Sequence, residues 1–533
     1  MKETMSRRSF VAGGAGAMAL GALGMFGCSS GGNLAGTGTP NIEWAEETDV
    51  IVMGFGGAGA TAAIGASEAG ANVIVFEKAP EGQEGGNTSV SGGGAHTKYK
   101  DYPEFIYEQF PDTIPQEEID GFLEELGTLD AWVEAHGEKL GETIGSPASN
   151  GYGLFSWIKD IAVNSPGAQV RYETPVKRLV FDQETKEVRG VIVEQNGEDA
   201  AIMAKRGVIM TCGGFENNHY MLTAYYPPEV PIYPCGTPYN TGDGIPMVAE
   251  VGAKLRGFSS VEWGCHCCKA GSEEVGVALA FSFMNPDSYQ NAIVVNKAGK
   301  RFVNESSGGR YGDGGYALRP LHAKDQIPEL AMSFKPYLDE EGNQLNVTFT
   351  YDNLPMYLIF GETRMNNGEA LFTSAGKKAG NCWANLHGMY SWSDDNQAEL
   401  DKGWIVKADT LEELAEKTGI DAAGLAATVA AYDRACADGT DPEFGRSYDL
   451  TPIGEGPFYA CELGMSLINT QGGPARDAAH RVLNNQDEVI GRLYAGGEFG
   501  SIFVFNYPGA LNVAEALATH VAGANAAGEE PWC

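Results

Sequence analysis

The pattern of apolar and polar positions near the beginning of the chain predicts a β–α–β unit. The β-branched run at 49–53 predicts a buried strand, and the alanine-rich stretch at 60–69 favours a helix. Gly70 is suited to end that helix, and the apolar run at 72–76 predicts a second strand. Two strands joined by a helix in this way are typical of a parallel α/β sheet.

The turn between the first strand and the helix has the pattern G-x-G-x-x-G, with Gly54, Gly56 and Gly59 at its fixed positions. The first glycine permits the tight turn, the second permits close approach of a pyrophosphate, and the third permits the helix to pack on the strand. The helix N-terminus offers N–H groups and a partial positive charge to phosphates. Glu77 follows the second strand, 18 residues after Gly59, where a carboxylate can bind ribose hydroxyls and reject a 2′-phosphate. The sequence therefore predicts a Rossmann-type dinucleotide site.

Helix caps appear far from this unit. Thr410 and Glu413 have the spacing of a capping box, and Asp421 is able to cap a second helix. Because 533 residues exceed what one hydrophobic core usually serves, we expect a second domain in addition to the dinucleotide-binding one.

The first 30 residues are typical of a targeting segment. Arg7 and Arg8 form a twin-arginine pattern, and the uncharged stretch at 11–27 follows them. Because this stretch is rich in glycine and alanine, it is too weakly apolar for a permanent membrane helix. We expect a signal peptide at 1–28 and export of the folded protein, with an ordinary secretory signal as the alternative.

Cys28 stands where a lipoprotein signal carries its lipidated cysteine, although Met25 and Phe26 depart from the usual Leu and small residue. The residues at 29–44 have the composition of a flexible linker. We therefore expect an extracytoplasmic protein, either free or anchored by lipid to the outer face of the cytoplasmic membrane.

The net charge disfavours some partners. With 36 basic and 71 acidic residues the formal charge is −35, which repels nucleic acids and anionic lipids. The sequence contains no C-x-x-C-H haem motif and no second G-x-G-x-x-G for a nicotinamide. We expect electrons from a separate donor, a membrane-linked cytochrome or a quinol-dependent carrier.

Three cysteines and a histidine stand together as Cys265, His266, Cys267 and Cys268. Thiols and an imidazole can hold a metal ion or an iron–sulfur cluster, but no second cysteine cluster is present. Free or redox-active thiols are favoured over a metal site.

Several further segments, taken together, resemble one family, the FAD-dependent fumarate reductases and 3-oxosteroid dehydrogenases. They are the G-G-N-T segment at 85–88 and the segments at 208–215, 240–244, 293–296, 299–305 and 493–498. The resemblance extends from residue 49 to the C-terminus.

This resemblance implies FAD as cofactor and an α/β fold, in which a Rossmann-type FAD-binding domain (45–282 and 458–533) carries an inserted α+β cap domain (283–457). A closing cap would exclude water and complete the substrate pocket. The residues expected at the cofactor are Gly54, Gly56, Ala58, Gly59, Glu77, Lys78, Gly86, Asn87, Thr88, Gly93, Gly94, Val176, Thr211, Gly213, Asp243, Glu498, Asn512 and Val513.

The chain departs from the dicarboxylate-reducing members at two places. Asn469 stands where they carry a substrate histidine, and the segment at 506–509 stands where they carry an arginine. Loss of a carboxylate partner costs roughly 3 to 5 kcal/mol per buried charge, so fumarate is disfavoured. Tyr507 and Gly509 instead resemble the 3-oxosteroid dehydrogenase branch, in which a tyrosine bonds the substrate ketone.

Tyr507 is the leading catalytic candidate, because a phenol can donate to an enone oxygen and stabilise the enolate. Its alternative is a packing tyrosine. Arg364 lies one position short of the cap arginine that donates the proton in fumarate-reducing members, and a surface arginine is its alternative. Glu305 could relay protons or serve as a structural ion-pair partner. His266 falls near a substrate histidine of the fumarate-type enzymes, about two residues out of register.

The expected function is reduction of an activated C=C bond in an enone or acrylate-type small molecule by hydride transfer from flavin N5, outside the cytoplasm. The alternatives are a 3-oxosteroid-type dehydrogenase that runs the reverse reaction, a fumarate-type dicarboxylate reductase, and a protein that keeps FAD only as a structural cofactor.

Overall fold

Twenty strands form the sheets of the described chain. In chain order they are β1 (Glu46–Met53), β2 (Val73–Phe76), β3 (Ala168–Arg171), β4 (Val176–Asp182), β5 (Glu187–Gln195), β6 (Glu198–Met210), β7 (Ile232–Pro234), β8 (Leu255–Arg256), β9 (Val261–Glu262), β10 (Cys265–Cys268), β11 (Ala292–Asn296), β12 (Met332–Leu338), β13 (Gln344–Tyr351), β14 (Met356–Gly361), β15 (Ile405–Ala408), β16 (Phe458–Leu467), β17 (Asn469–Thr470), β18 (Gly473–Pro474), β19 (Arg481–Leu483) and β20 (Val489–Ala495).

The helices of the same part of the chain are α1 (Gly57–Glu68), α2 (Gly86–Val90), α3 (Gln116–Ala135), α4 (Asn150–Asn164), α5 (His219–Tyr225), α6 (Gly244–Glu250), α7 (Lys269–Val275), α8 (Glu362–Met365), α9 (Trp383–Leu386), α10 (Gln397–Asp401), α11 (Leu411–Thr418), α12 (Ala422–Asp438), α13 (Leu511–Ala518) and α14 (His520–Gly528), with a 3-10 helix at Gly497–Gly500.

This computed structural model describes residues 42–95, 114–146, 149–226, 232–258, 261–262, 265–280, 289–305, 331–367, 370–372, 382–447, 449–500, 502–503 and 511–532. The twin-arginine pattern and Cys28 lie outside these ranges. Ile42 and Trp44, from the end of the predicted linker, pack on the apolar side chains of Val180 and Ile192. Among the described residues, none of the helices combines the length and the apolar character that crossing a membrane requires.

The predicted β–α–β unit is confirmed, with elements slightly displaced from the predicted ends. β1 pairs in parallel with β2 and with β6, and β2 pairs in parallel with β3. α1 begins three residues before the predicted start, because the amide of Ala60 donates to the carbonyl of Gly56 and draws the glycine-rich turn into the helix. β20 returns from near the C-terminus to pair in parallel with β6. The carboxyl ends of β1, β2, β6 and β20 therefore meet at one edge.

A second sheet of six strands among the described residues has the order β10-β16-β14-β11, with β15 and β7 also on β16. Its strands come from all three predicted segments, since β16 lies after residue 457, whereas β11, β14 and β15 lie before it and β7 and β10 precede residue 283. The predicted segment limits of 283 and 457 stay predictions. The protein thus has a mixed α/β architecture.

The helix caps are confirmed. The side chain of Thr410 accepts from the amide of Glu413 at the start of α11, and Asp421 accepts from the amide of Gly424 at the start of α12. Both helices cover one face of the second sheet, where Leu414 and Leu425 are fully buried. The apolar face of each helix is thereby removed from water.

Candidate functional site

A large cavity lies at the carboxyl edge of the first sheet and contains about 1200 Å³ of space, including its open mouth. Most of the predicted cofactor residues line it. These are Gly54, Gly56, Ala58, Glu77, Lys78, Gly86, Asn87, Thr88, Val176, Thr211, Gly213, Asp243, Glu498, Asn512 and Val513.

The glycine-rich turn has the geometry that its sequence predicts. Gly54 has φ +98°, and a Cβ atom on it would lie 2.6 Å from the carbonyl oxygen of Thr211. A Cβ atom on Gly59 would lie 1.9 Å from the carbonyl oxygen of Gly54. Neither position can carry a side chain without displacing backbone. Gly59 therefore acts by packing and does not line the cavity, whereas the turn aims the N-terminus of α1 at it.

Gly93 and Gly94 are not among the described residues that line the cavity. Gly93 has φ +77°, and a Cβ atom on it would lie 2.3 Å from the carbonyl carbon of Asn150 at the start of α4. Close contact with a neighbouring segment therefore explains why position 93 is a glycine. The two positions stay predictions for cofactor contact.

Glu77 is buried at one end of the cavity. Its carboxylate accepts a hydrogen bond from the amide of Phe55 and another from the amide of Ala79, each at 2.7 Å. Burial raises the pKa of Glu77, and the two backbone N–H groups and Lys78 oppose this rise. Each carboxylate oxygen still has a free lone-pair direction for a ribose hydroxyl.

Lys78 and Asp243 form an ion pair beside Glu77. The ammonium group contacts the carboxylate of Asp243 and donates to the hydroxyl of Thr241 at 2.6 Å. Thr241 in turn donates to Asp243 at 2.8 Å. Lys78 is the one cationic side chain among the described residues that line the cavity.

Both polar atoms of the Asn87 side-chain amide make hydrogen bonds. Its Oδ1 accepts from the amide of Thr237 at 2.9 Å, and its Nδ2 donates to Glu216 at 2.7 Å and more weakly to Glu498 at 3.3 Å. Asn240 donates to the same two carboxyl groups. Asn87, Asn240 and Glu498 line the cavity, and Glu216 lies behind them.

Two neutral amides, Asn469 and Asn512, also line the cavity. Asn469 is 5% exposed, and its Oδ1 has no hydrogen-bond partner among the described residues. Asn512 has both its Oδ1 and its Nδ2 buried without a partner in the same part of the chain. Buried amides of this kind require a ligand that both donates and accepts, as the pyrimidine edge of an isoalloxazine ring does. The cavity therefore fits FAD.

The catalytic candidates are not brought together by the described residues. Tyr507 and Gly509 lie outside the described ranges. Arg364 lies on α8 and is 2% exposed, so the alternative of a surface arginine is wrong. Its guanidinium donates to the carbonyl of Ala370, and the residue is not among those described around the cavity.

Glu305 is held in a buried ion-pair group. It accepts from both Nε and Nη2 of Arg301, at 3.0 and 2.6 Å, and from the amide of Val294 at 3.0 Å. Arg301 also bonds Asp441, and Arg446 lies 3.5 Å from Glu305. This geometry favours the structural alternative over a proton relay.

His266 and its neighbouring cysteines lie on β10. The imidazole Nδ1 lies 2.8 Å from the hydroxyl of Tyr289, and the histidine is not among the described cavity residues. Cys267 and Cys268 are fully buried, and burial raises the pKa of the Cys267 thiol. In the described part of the chain, which does not include the Cys265 side chain, no three His, Cys, Asp or Glu side chains are placed to hold a metal.

Sequence reasoning missed several cavity residues, among them Thr237, Tyr239, Asn240 and Ile468, and it missed Glu216 behind them. Asn240 and Glu216 each stand within or beside segments that carried the family resemblance. Their role depends on contact with Asn87, more than 100 positions away, which local spacing does not indicate.

Comparison with protein families identifies the cofactor. The sequence model of the family described as FAD binding domain matches residues 49–105 and 125–512. This match spans most of the chain, including every described segment around the cavity except the residues after 512.

Two relatives and one solved structure are similar over nearly the whole chain. The 3-oxosteroid 1-dehydrogenase of Mycolicibacterium smegmatis is 26% identical, over 87% of this chain and 94% of that protein. A Shewanella frigidimarina protein named "Probable fumarate reductase Ifc3" is 26% identical, over 91% of this chain and 75% of its own. The structure of a 3-ketosteroid delta1-dehydrogenase from Sterolibacterium denitrificans superposes with a TM-score of 0.67 at 20% identity, over 90% of this chain and 99% of that one.

Replacing Glu77 with glutamine is expected to weaken FAD binding about ten- to hundredfold. The new amide NH2 would face one of the two backbone N–H groups that the carboxylate now accepts, leaving a buried donor without an acceptor. The measurement is a fluorescence titration of the apoprotein with FAD. Glu81→Gln, on an exposed turn four residues later, is the matched control and should bind like the wild type. Unchanged affinity of Glu77→Gln would refute this role.

Proposed function

Because the chain belongs to the FAD binding domain family, we propose that it reduces an activated C=C bond in an enone or an acrylate-type small molecule. FAD is its cofactor, and the chain is an FAD-dependent oxidoreductase that acts on CH–CH groups. When bound, FAD supplies the hydride that one alkene carbon receives.

The observation that carries the substrate proposal is that Lys78 is the one cationic side chain among the described residues that line the cavity. That cation is already engaged by Asp243, and the neutral side chains of Asn469 and Ile468 line the same cavity. A dicarboxylate would have to give up hydration of two charges without a cationic partner among these residues. This supports a neutral or singly charged substrate of fairly apolar character.

In this proposal Tyr507 donates a hydrogen bond to the carbonyl oxygen of the substrate and stabilises the enolate. Its support is the Tyr-Pro-Gly segment at 507–509, which resembles the 3-oxosteroid dehydrogenase branch. The segment at 283–457 serves as a cap that excludes water from the reacting carbon.

The reverse reaction is the second candidate. The Mycolicibacterium smegmatis relative is named as a dehydrogenase, and the same groups serve either direction, since direction follows the redox partner. The twin-arginine pattern supports reduction, because an exported enzyme meets respiratory donors.

Anaerobic assays of the holoenzyme with reduced viologen test the proposal. We expect enones, cinnamates or urocanate to oxidise the dye and fumarate to be a poor substrate, because no clamp for a second carboxylate is proposed. Saturated ketones with an oxidised dye, assayed in parallel, report the reverse direction. Oxidation by fumarate alone, or by none of the acceptors, would refute the proposed substrate class.

Tyr507→Phe is expected to lower kcat about 10²- to 10⁴-fold, because the phenol hydrogen bond forms to charge that develops in the transition state. FAD content and absorbance should stay as in the wild type. Tyr220→Phe, at a side chain that is 81% exposed, is the control and should not change the rate. Full activity of Tyr507→Phe on every substrate would remove the tyrosine from the mechanism.

We also propose that the protein works outside the cytoplasm, with electrons from a membrane-linked cytochrome or quinol-dependent carrier, and that Cys28 is lipidated. The support is the signal pattern and its cysteine. Replacing Arg7 and Arg8 with lysine should retain the protein in the cytoplasmic fraction, whereas the wild type is recovered outside it. Unaltered export would indicate an ordinary secretory signal.

A further inference from the structure

Glu216 is a fully buried carboxyl group at the back of the cofactor cavity. It follows β6 by six residues and has 0% exposure. Its Oε1 accepts from Nδ2 of Asn87 at 2.7 Å and from Nδ2 of Asn240 at 2.8 Å. Both amides line the cavity, so Glu216 fixes two cofactor-facing side chains from behind.

A second carboxyl group uses the same two donors. Nδ2 of Asn87 lies 3.3 Å from Oε2 of Glu498, and Nδ2 of Asn240 lies 3.4 Å from the same oxygen. Two acids and two amides are therefore joined by hydrogen bonds into one group, which we call the Asn–Glu ring (Asn87, Glu216, Asn240 and Glu498). Two carboxyl groups that share donors are difficult to ionise together, because each negative charge disfavours the other.

The remaining oxygen of Glu216 has a suitable acceptor for a proton. Its Oε2 lies 3.3 Å from the hydroxyl oxygen of Thr470, which also accepts from the amide of Phe215 at 2.7 Å. The hydroxyl can donate to an ionised carboxylate, and it can equally accept from a protonated one. Thr470 directly follows Asn469, so this contact joins the Asn–Glu ring to the segment that carries an amide of the cavity lining.

The surroundings favour one proton in the ring. Burial raises the pKa of Glu216 to about 7, while the hydrogen bonds from Asn87 and Asn240 act in the opposite direction. The titratable groups that face Glu216 in the described chain are Glu498 from the 3-10 helix and Tyr226 from the end of α5, and both carboxyl groups raise the pKa of this tyrosine. α2 contributes Asn87, and the strand at 469–470 contributes Thr470, which do not titrate.

We propose that Glu216 is a positioning residue for the cofactor, which keeps one proton in the Asn–Glu ring so that Glu216 and Glu498 together carry a single negative charge. The amides of Asn87 and Asn240 are then held in one orientation toward the cavity, and an anionic cofactor bound there would meet one negative charge rather than two. The inference concerns the FAD site and does not depend on which substrate is reduced.

Glutamine at position 216 imitates the protonated form. Its oxygen keeps the place of Oε1 and accepts from both amides, and its NH2 keeps the place of the protonated Oε2 and donates to Thr470. Alanine at the same position removes all three contacts and leaves two buried amide groups with weaker partners. Comparison of the two variants therefore shows whether FAD binding needs a protonated side chain at position 216 or a negatively charged one.

The first experiment titrates apoprotein with FAD at pH 6.5 and follows flavin fluorescence. We expect Glu216→Gln to bind FAD within about threefold of the wild type and Glu216→Ala to bind about ten- to hundredfold more weakly. Thermal unfolding of each apoprotein establishes that it is folded. Equal loss of affinity in both variants would overturn the held proton, and unchanged affinity in both would overturn the positioning role.

The second experiment repeats the titration between pH 5.5 and 8.5. Bound FAD adds negative charge and displaces water from the cavity beside Glu216, so it raises the pKa of this carboxyl in the complex above that in the apoprotein. Linkage then makes wild-type affinity highest while Glu216 is protonated and lowers it several-fold as pH rises through about 7. Glu216→Gln has no proton to lose there and should lack this decrease.

Glu399→Gln is the matched control for the pH experiment. Glu399 is also 0% exposed and accepts hydrogen bonds from Tyr390 and Ser393, but it lies on α10 and does not line the cavity. It should keep the wild-type pH dependence of FAD binding. If Glu216→Gln shows the same decrease as the wild type and this control, Glu216 does not hold the proton. Because neither titration contains substrate, failure of the proposed reaction leaves this result unaffected.

Discussion

The close contact of α1 with the ends of β1 and β6 determines where everything else in the site lies. Side chains at Gly54 and Gly59 would overlap backbone atoms, so the helix can approach the strands only because these positions are glycine. The hydroxyl of Thr211 donates to the carbonyl of Met53 at 2.9 Å and joins the two strands at this point. The helix N-terminus is consequently held at the cavity with its first amides available for a diphosphate.

The C-terminal part of the chain packs on this same helix and so completes the cavity. A Cβ atom on Gly523 of α14 would lie 2.0 Å from the carbonyl oxygen of Ala62, and one on Gly65 would lie 2.0 Å from that of His520. Thr61 of α1 also donates to the carbonyl of Ala516 on α13 at 2.5 Å. Because α13 and α14 pack against α1, residues near position 512 line the same cavity as residues near position 55. The cavity thus combines residues from 53–247 with residues from 468–516.

The parts of this arrangement that sequence predicted are those with a local signal. A β-branched run, a glycine turn and an acidic residue at fixed spacing predicted β1, α1 and β2, and hydroxyl and carboxyl caps predicted α11 and α12. The second sheet had no such signal, since all the strands that pair with β16 precede it in the chain, and two of them, β7 and β10, come from the segment before residue 283. The same holds for side chains: the contact of Glu305 with Arg446, that of Arg301 with Asp441, and the burial of Arg364 depend on segments far away in the sequence. Glu216 was missed because a carboxyl group after a glycine pair does not by itself indicate a functional role. Its role becomes apparent only when the fold places Asn87 and Asn240 beside it.

The cavity also shows how a chain with a formal charge of −35 can bind an anionic dinucleotide. Acids around it are matched with fixed donors: Glu77 with two backbone amides, Asp243 with Lys78 and Thr241, and Glu216 and Glu498 with two asparagine amides that they share. These dipolar donors stabilise the negative charge of the carboxylates without adding mobile cations. Buried dipoles interact with a charge more strongly than they would in water. Most of the partners are neutral, so the local field at the cavity depends on how many of its carboxyl groups are ionised rather than on the net charge of the surface. In such a site, adding or removing one proton on a buried acid changes the electrostatic field at the cofactor. The excess of surface carboxylates changes this field far less, because salt and water screen those charges.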